Sequence, residues 1–189
     1  MSFLKKFADS SKELSDIRSV AVCAMMLALR IVLGIFANFS LSFLPLPVVK
    51  ISLAFIPVML TGYLYGPVCS SVVACAGDAF SYLLAPTALG FNPAITACYL
   101  LEGIIYGVCL YKSELMLPNV ILAKVLDLVL CTVTLNALVL QLMFFNTTPL
   151  YYIIFLRAII LVPIGVIEVV LIVLLKEPLL KIQTQLHKR

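Results

Sequence analysis

Long apolar segments, separated by Gly, Pro and charged residues, follow one another along almost the whole of this sequence. Hydrophobic residues make up 63% of the 189 residues and charged residues 12%, whereas soluble domains average about 45–50% and about 25%. A chain this short has too little interior to bury the excess apolar surface, but a lipid bilayer would accept it. Six helices of about 20 residues, the length that crosses the hydrocarbon core, nearly account for the chain. The sequence therefore predicts an all-α integral membrane protein, a compact bundle of six transmembrane helices with no extramembrane domain.

The spans can be placed from the positions of Gly, Pro and charge. The least certain boundary lies between the second and third spans, which only Gly66 and Pro67 separate. Fusing these two spans would give about 35 residues, far too long for one crossing, so six spans are predicted. Their ranges are 17–42, 51–66, 67–85, 94–112, 118–143 and 150–175.

Around the membrane domain, predicted over 17–176, the sequence has two short flanking parts. Residues 1–16 mix charges with a few apolar residues, which is typical of an amphipathic lead-in at the membrane interface. A signal peptide is not expected, because the following apolar segment is longer than a usual signal core and lacks an obvious cleavage site. Residues 177–189 form a basic tail.

Lysine and arginine indicate the orientation. An even number of spans places both termini on one side, and that side would carry nine of the 13 basic residues: Lys5, Lys6, Lys12, Arg18, Lys112, Lys176, Lys181, Lys188 and Arg189. The other side would carry only Lys50. By the positive-inside rule both termini are predicted to be cytoplasmic. Since topology accounts for the net charge of +4, no nucleic-acid partner is predicted.

Several kinds of site are disfavoured by what the sequence lacks. The only histidine is His187, in the tail, which leaves no histidine-based metal site such as HExxH within the membrane. No GxxxxGK[ST] motif is present, so ATP binding through a P-loop is not expected. The six cysteines lie in apolar segments without a CxxC pair and are read as small hydrophobes, with neither disulfides nor metal. No cofactor is predicted.

Charges inside the spans carry the functional information, because an ionisable group in hydrocarbon is costly and normally faces a bundle interior or a wet cavity. In the orientation above, Arg30, Asp78 and Arg157 lie in the outer half of their spans. The remaining polar groups, from the outer mouth inwards, are Lys50, then Asn92 and Thr96, then Glu102, and deepest Lys124, Asp127 and Glu168. Both signs of charge thus converge on the outer half, as a cavity open to the exterior would require.

Helical phase, at about 100° per residue, adds detail to the third span. Asp78 shares a face with Ser71, Cys75 and Tyr82. Asp78 and Arg157 are candidates for substrate binding, although a buried salt bridge between them that holds two helices in register is the alternative.

Further polar residues within the spans have structural interpretations as well. Lys124 and Asp127 are three residues apart and can form a structural ion pair. Glu102 shares a face with Tyr99 and Tyr106, whose hydroxyls could satisfy it. Asn136 lies nearly opposite Asp127 on the fifth span, so only one of these two can face a given cavity.

The first span has two unlike faces. Ala24 and Ala28 form an AxxxA strip, with Ala21 close by, where another helix could approach closely. Arg30 projects roughly 150° away from that strip. If Arg30 points into a cavity, the alanines face lipid or a partner; internal helix packing is the alternative.

Together these features resemble the substrate-binding S components of energy-coupling factor (ECF) vitamin transporters, and most closely their folate-specific branch. The resemblance runs from residue 17 through nearly the whole chain, with AxxxA on the first helix and an aspartate, Asp78, on the third. The segments that carry it are 50–57 (KISLAFIP), 62–67 (GYLYGP), 91–96 (FNPAIT), 105–107 (IYG), and Arg157 with Pro163. In 91–96 this sequence departs from the branch's pattern, with Ala94 and Ile95 in place of Gly and Phe.

The resemblance implies a subunit that captures folate or a reduced folate from outside a bacterial cell membrane, without enzymatic activity of its own. It also implies partners: a transmembrane coupling protein that docks on Ala24 and Ala28, and two ATPase subunits. An aspartate could accept the donor edge of a pterin ring, and arginine or lysine could bind the carboxylates of its glutamate tail. The predicted substrate-binding residues are Arg30, Lys50, Ser52, Phe55, Asp78, Tyr82, Phe91, Asn92, Thr96, Asn136 and Arg157.

Other interpretations remain open at this point. An S component for a different vitamin would share most of these features. A small intramembrane enzyme would need paired acidic motifs or histidines, and only widely spaced carboxylates are present. A structural or assembly membrane protein would leave the opposite charges at one depth without an explanation.

Overall fold

The structure is a computed structural model, which describes residues 3–36, 38–40, 50–86, 90–112, 117–144 and 150–174. Its elements are α1 (Phe3–Glu13), α2 (Ile17–Phe36), β1 (Asn38–Ser40), β2 (Lys50–Ser52), α3 (Phe55–Tyr65), α4 (Pro67–Leu84), α5 (Pro93–Leu110), α6 (Leu117–Leu126), a π-helical segment (Asp127–Leu135), α7 (Asn136–Phe144) and α8 (Leu150–Leu174). The all-α membrane bundle predicted from the sequence is confirmed. In addition to the helices, β1 and β2 form a two-stranded antiparallel ribbon, in which Phe39 pairs with Ile51.

Five of the described helices are long and apolar enough to cross a membrane: Ile17–Phe36, Pro67–Leu84, Pro93–Leu110, Pro118–Val139 and Ile153–Leu174. The sixth apolar helix, α3, has 11 residues and is therefore only about 16 Å long, about half the thickness of the hydrocarbon core. The predicted second span is thus helical but too short to cross by itself. The first span ends at Phe36 and gives way to β1; its predicted end, 41–42, and the basic tail lie outside the described residues.

The centre of the bundle is formed where α3, α4 and α5 pack with almost no space between their backbones. A Cβ atom at Gly103 would lie 2.7 Å from the backbone oxygen of Ser70, and one at Gly62 would lie 2.9 Å from the backbone nitrogen of Gly107. Small residues of this kind let helices in a membrane approach closely enough for interhelical hydrogen bonds. One such bond is present, since the Ser70 hydroxyl donates to the Gly103 carbonyl at 2.7 Å.

A serine from α1 caps the turn between α3 and α4. Gly66, the residue that precedes α4, has a positive φ of 86° and no side chain with which to cap the helix. The Ser10 hydroxyl, completely buried, accepts a hydrogen bond from the N–H of Val68 at 3.0 Å and donates one to the Tyr65 carbonyl at 2.6 Å. It thereby satisfies one orphan donor at the start of α4 and one orphan carbonyl at the end of α3.

Two lysines complete the attachment of α1. Lys6 donates to the Val108 carbonyl of α5 at 2.6 Å. Lys112, just after α5, forms a 2.6 Å ion pair with Asp9, and this hydrogen bond lowers the pKa of the Asp9 carboxyl below its usual value. The segment predicted as an interfacial lead-in is therefore a helix packed against one end of the bundle; which side of the membrane it lies on stays a prediction.

The fifth span is not an α-helix throughout. Over Asp127–Leu135 the backbone is π-helical, and the N–H of Asn136 bonds to the carbonyl of Cys131, five residues earlier. The Thr134 hydroxyl likewise donates to the Val129 carbonyl. A π-helix places more residues in each turn than an α-helix. The predicted opposition of Asp127 and Asn136 assumed α-helical phase across these residues, so its premise is wrong.

Candidate functional site

Asp78 lies on α4, where it faces the first turn of α5. The hydroxyl of Thr96 donates to the Asp78 carboxylate at 2.6 Å. Thr96 is itself placed by the start of α5, because the side chain of Asn92 caps that helix by accepting the N–H of Ala94 at 3.0 Å and Pro93 occupies the first turn. Three of the predicted residues, Asp78, Asn92 and Thr96, are therefore brought together, with Asn92 acting as a helix cap.

Arg30 points into the bundle, as the sequence predicts for a helix with two unlike faces. It is 5% exposed, whereas Ala24 and Ala28 on the opposite side of α2 are exposed. The guanidinium carbon lies 5.0 Å from the centre of the Tyr99 ring, a cation–π distance. The small-residue strip therefore faces away from the charged interior.

Arg157 is a buried cation with unsatisfied donors. The residue is 6% exposed, and its Nε and Nη1 atoms are buried with no hydrogen-bond partner in the described structure. A buried donor without a partner is costly, and a buried charge without one is more costly still. The described residues therefore leave two guanidinium donors of Arg157 unsatisfied.

The described residues form three ion pairs, and none of them includes Arg30, Asp78 or Arg157. A salt bridge between Asp78 and Arg157, the alternative for these residues, is therefore not formed. Among the described residues, Arg30, Arg157, Asp78 and the buried Glu102 therefore lie outside these ion pairs.

Two aromatic rings lie against each other where α4 ends and α5 begins. Tyr82 and Phe91 have ring centres 5.5 Å apart with an angle of 49° between the ring planes, and Phe91 is 48% exposed. Phe55 lies elsewhere: it is buried, and its ring centre is 5.0 Å from the ammonium of Lys124. The aromatic residues predicted together thus belong to two different parts of the bundle.

Lys124 is the centre of a separate buried cluster. Its ammonium lies 3.0 Å from Asp127 and 2.7 Å from Glu168, which confirms the predicted ion pair and extends it to α8. The Tyr106 hydroxyl donates to Asp127 at 3.2 Å and accepts from Lys124 at 3.1 Å. Because its proton goes to Asp127, Tyr106 does not satisfy Glu102 as expected. The charged groups of this cluster are paired with one another, so we interpret the cluster as a structural contact between helices.

Three predicted residues take no described part in the site. Lys50 and Ser52 lie in β2, and their side chains fall outside the described residues. Asn136 begins α7 and is half-buried.

Sequence reasoning missed Gly77 and gave Tyr99 a different neighbour. Tyr99 contacts Arg30 rather than serving Glu102 alone, and Gly77 lies directly beneath the Arg30 side chain. The sequence alone does not distinguish Gly77 from any other glycine in a membrane helix.

A bundle of several apolar helices with charged side chains buried inside defines a multi-pass membrane protein. The family model of the ECF transporter substrate-specific component matches residues 18–180. The chain belongs to this family.

Two comparisons give more detail. The folate transporter FolT of Clostridium novyi (strain NT) is 29% identical over 120 residues, which are 64% of this chain and 66% of that relative, just under two thirds of its length. A crystal structure of FolT bound with folic acid superimposes with a TM-score of 0.70 at 31% identity, covering 86% of this chain and 92% of that one.

Proposed function

We propose that this chain is the folate-binding subunit of an ECF-type uptake transporter. The observation that carries the proposal is the pair of buried arginines, Arg30 and Arg157, which are in none of the described ion pairs, together with the Asp78 carboxylate held by Thr96. Folate has complementary groups: a flat heterocycle with a donor edge and a tail with two carboxylates. The similarity to FolT structures with folic acid supports the same ligand class.

Asp78 binds the pterin edge in this proposal. An ionised carboxylate has about four lone-pair sites on two oxygens, and Thr96 uses one of them. The other sites remain for two parallel N–H donors of a pterin, the bidentate arrangement that gives charge-assisted hydrogen bonds their specificity. Thr96 also fixes the rotamer of the carboxylate, so less conformational entropy is lost on binding.

Arg157 binds the glutamate tail, with Arg30 or Lys50 contributing the second cation. Nε and Nη1 of Arg157 have no hydrogen-bond partner among the described residues, so the guanidinium can donate charge-assisted hydrogen bonds to a carboxylate of the ligand. Tyr82 near the end of α4 and Phe91 just before α5 offer ring surfaces to the heterocycle or its linker.

In this proposal, separate partner subunits supply the energy for uptake. The chain captures folate or a reduced folate from outside a bacterial cytoplasmic membrane, with both termini inside the cell. A transmembrane coupling protein docks on the exposed Ala24 and Ala28 strip, and two ATPase subunits hydrolyse ATP. The chain itself catalyses no reaction.

The ligand can be identified without choosing it in advance. The protein is purified in mild detergent with no added vitamin, denatured, and the released small molecules are identified by mass spectrometry. A folate is expected in a stoichiometric amount. Release of a different vitamin would leave the family assignment intact but would show that folate is not the ligand.

A further inference from the structure

Arg30 reaches the interior across a point of α4 where there is no side chain. It passes over Gly77, and a Cβ atom at that position would lie 2.5 Å from the Arg30 Nε and closer still to its Cδ. The three heavy atoms nearest that Cβ all belong to Arg30. A side chain at position 77 would therefore displace Arg30 before anything else.

The central glycines of the bundle have different neighbours. At Gly103 the nearest atoms belong to the backbone of Ser70 and Ser71, and at Gly62 and Gly107 they are likewise backbone atoms. Those glycines let one helix approach another, which is the usual reason for small residues in membrane bundles. Gly77 instead makes room for one charged side chain.

Tyr99 supplies the opposite wall of the same space. Its ring lies 5.0 Å from the Arg30 guanidinium carbon, so the side chain runs between the α4 backbone and an aromatic face on α5. Arginine has a long, flexible side chain, and a guanidinium fixed before the ligand arrives loses less entropy when it binds a carboxylate.

We propose that Gly77 and Tyr99 are positioning residues that form a slot for Arg30 and aim its guanidinium at the anionic part of the ligand. The identity of that ligand rests on the proposed function; the position of Arg30 does not. Since the guanidinium is held in the interior of the bundle, the slot sets the preference of the site for ligands with a negatively charged tail.

A double-mutant cycle tests the slot directly. Gly77→Ala and Arg30→Ala are each expected to weaken folate binding about tenfold or more, measured by calorimetry. The double variant should bind no more weakly than Arg30→Ala alone, because the three atoms nearest to a Cβ at position 77 all belong to Arg30. Losses that multiply in the double variant would overturn the proposal, since Gly77 would then act independently of Arg30.

Stability of the ligand-free protein separates positioning from packing. Gly77→Ala should keep or raise the apo melting temperature, because alanine favours a helix over glycine. Gly103→Ala is the matched variant and should lower it, because its Cβ meets backbone. If Gly77→Ala lowered the apo melting temperature as much as Gly103→Ala does, the proposal would be contradicted. Variants of Tyr99 test the opposite side of the slot. Tyr99→Phe keeps the aromatic ring and should bind folate with unchanged affinity. Tyr99→Leu removes the ring and should weaken folate binding.

A ligand-free measurement distinguishes failure of the slot from failure of the proposed function. If the wild-type chain binds no folate, the proposed function falls, but the slot is still read from the Nε–Hε NMR signal of Arg30, assigned by its loss in Arg30→Lys. The Tyr99 ring should shift this signal upfield, and both Gly77→Ala and Tyr99→Leu should return it towards the position of a solvated arginine. A signal unchanged in Gly77→Ala would overturn the slot.

Discussion

The hydroxyl of Thr96 on α5 donates a 2.6 Å hydrogen bond to Asp78 on α4. This contact joins the two helices near one end, and the Ser70 to Gly103 hydrogen bond joins them again two turns further along. α4 and α5 are thus a fixed pair, so a ligand that bound at Asp78, as proposed, would meet a carboxylate whose orientation is already set. Binding at Asp78 then requires little rearrangement of the bundle.

Replacing Asp78 should remove the recognition of the pterin edge. Loss of one partner of a buried charge-assisted contact commonly costs about 2–5 kcal/mol, so Asp78→Ala and Asp78→Asn are both expected to weaken folate binding by at least about tenfold. Calorimetric titration measures this. Asp9→Asn is the matched control, since Asp9 pairs with Lys112 at the end of the bundle, and it should bind folate normally. Equal affinity for the Asp78 and Asp9 variants would refute the assignment.

Folate binding should depend on Arg157, whereas the ligand-free protein should not need it for stability. Because its buried Nε and Nη1 lack partners, Arg157→Met is expected to stabilise the apo protein by on the order of 1 kcal/mol while weakening folate. A pterin without the glutamate tail should bind both forms equally. Apo melting curves and two titrations provide the measurement, with the exposed Arg18→Met as control.

The opposite result for Arg157 has a clear meaning. If Arg157→Met lowers the apo melting temperature and weakens the tailless pterin as much as folate, the arginine supports the fold and does not bind the tail.

Ser10 should stabilise the bundle from outside the spans. Ser10→Ala removes the cap of the turn between α3 and α4 and is expected to cost about 1–2 kcal/mol of unfolding free energy. Ser11→Ala is the control, because the Ser11 hydroxyl makes only an exposed bond to the Ala8 carbonyl within its own helix. Thermal unfolding of the two variants should differ by several degrees, and coinciding curves would rule out the cap.

Docking on α2 should depend on its small residues. Ala24→Trp and Ala28→Trp place bulk on an exposed face away from Arg30, so folate binding should persist while ATP-driven uptake with the partner subunits is abolished. Val166→Trp, an equally outward position on α8 at 61% exposure, should leave uptake intact. Loss of folate binding in a folded Ala24 variant would contradict this division.

Much of the architecture could be predicted because lipid imposes simple rules on sequence. The helix boundaries at Gly66-Pro67 and at Asn92-Pro93 follow from turn and cap chemistry, and the burial of Arg30 opposite the alanines follows from helical phase. The Lys124–Asp127 pair follows from spacing alone.

The remaining features depend on contacts that are distant in sequence or on departures from α-helical geometry. Ser10 caps a turn 55 residues away from it, and no local pattern indicates that. The π-helical segment changes the phase between Asp127 and Asn136, so an angle computed at 100° per residue fails there. Gly77 resembles any other membrane glycine until the path of the Arg30 side chain is known.

Calorimetric titration of the purified chain with folate, riboflavin, thiamine and biotin in parallel is the most direct test of the central claim. The account predicts tight, saturable binding of oxidised or reduced folate, no comparable binding of the other three vitamins, and no ATP hydrolysis by the chain alone. Tight binding of one of the other three with none of folate would contradict it.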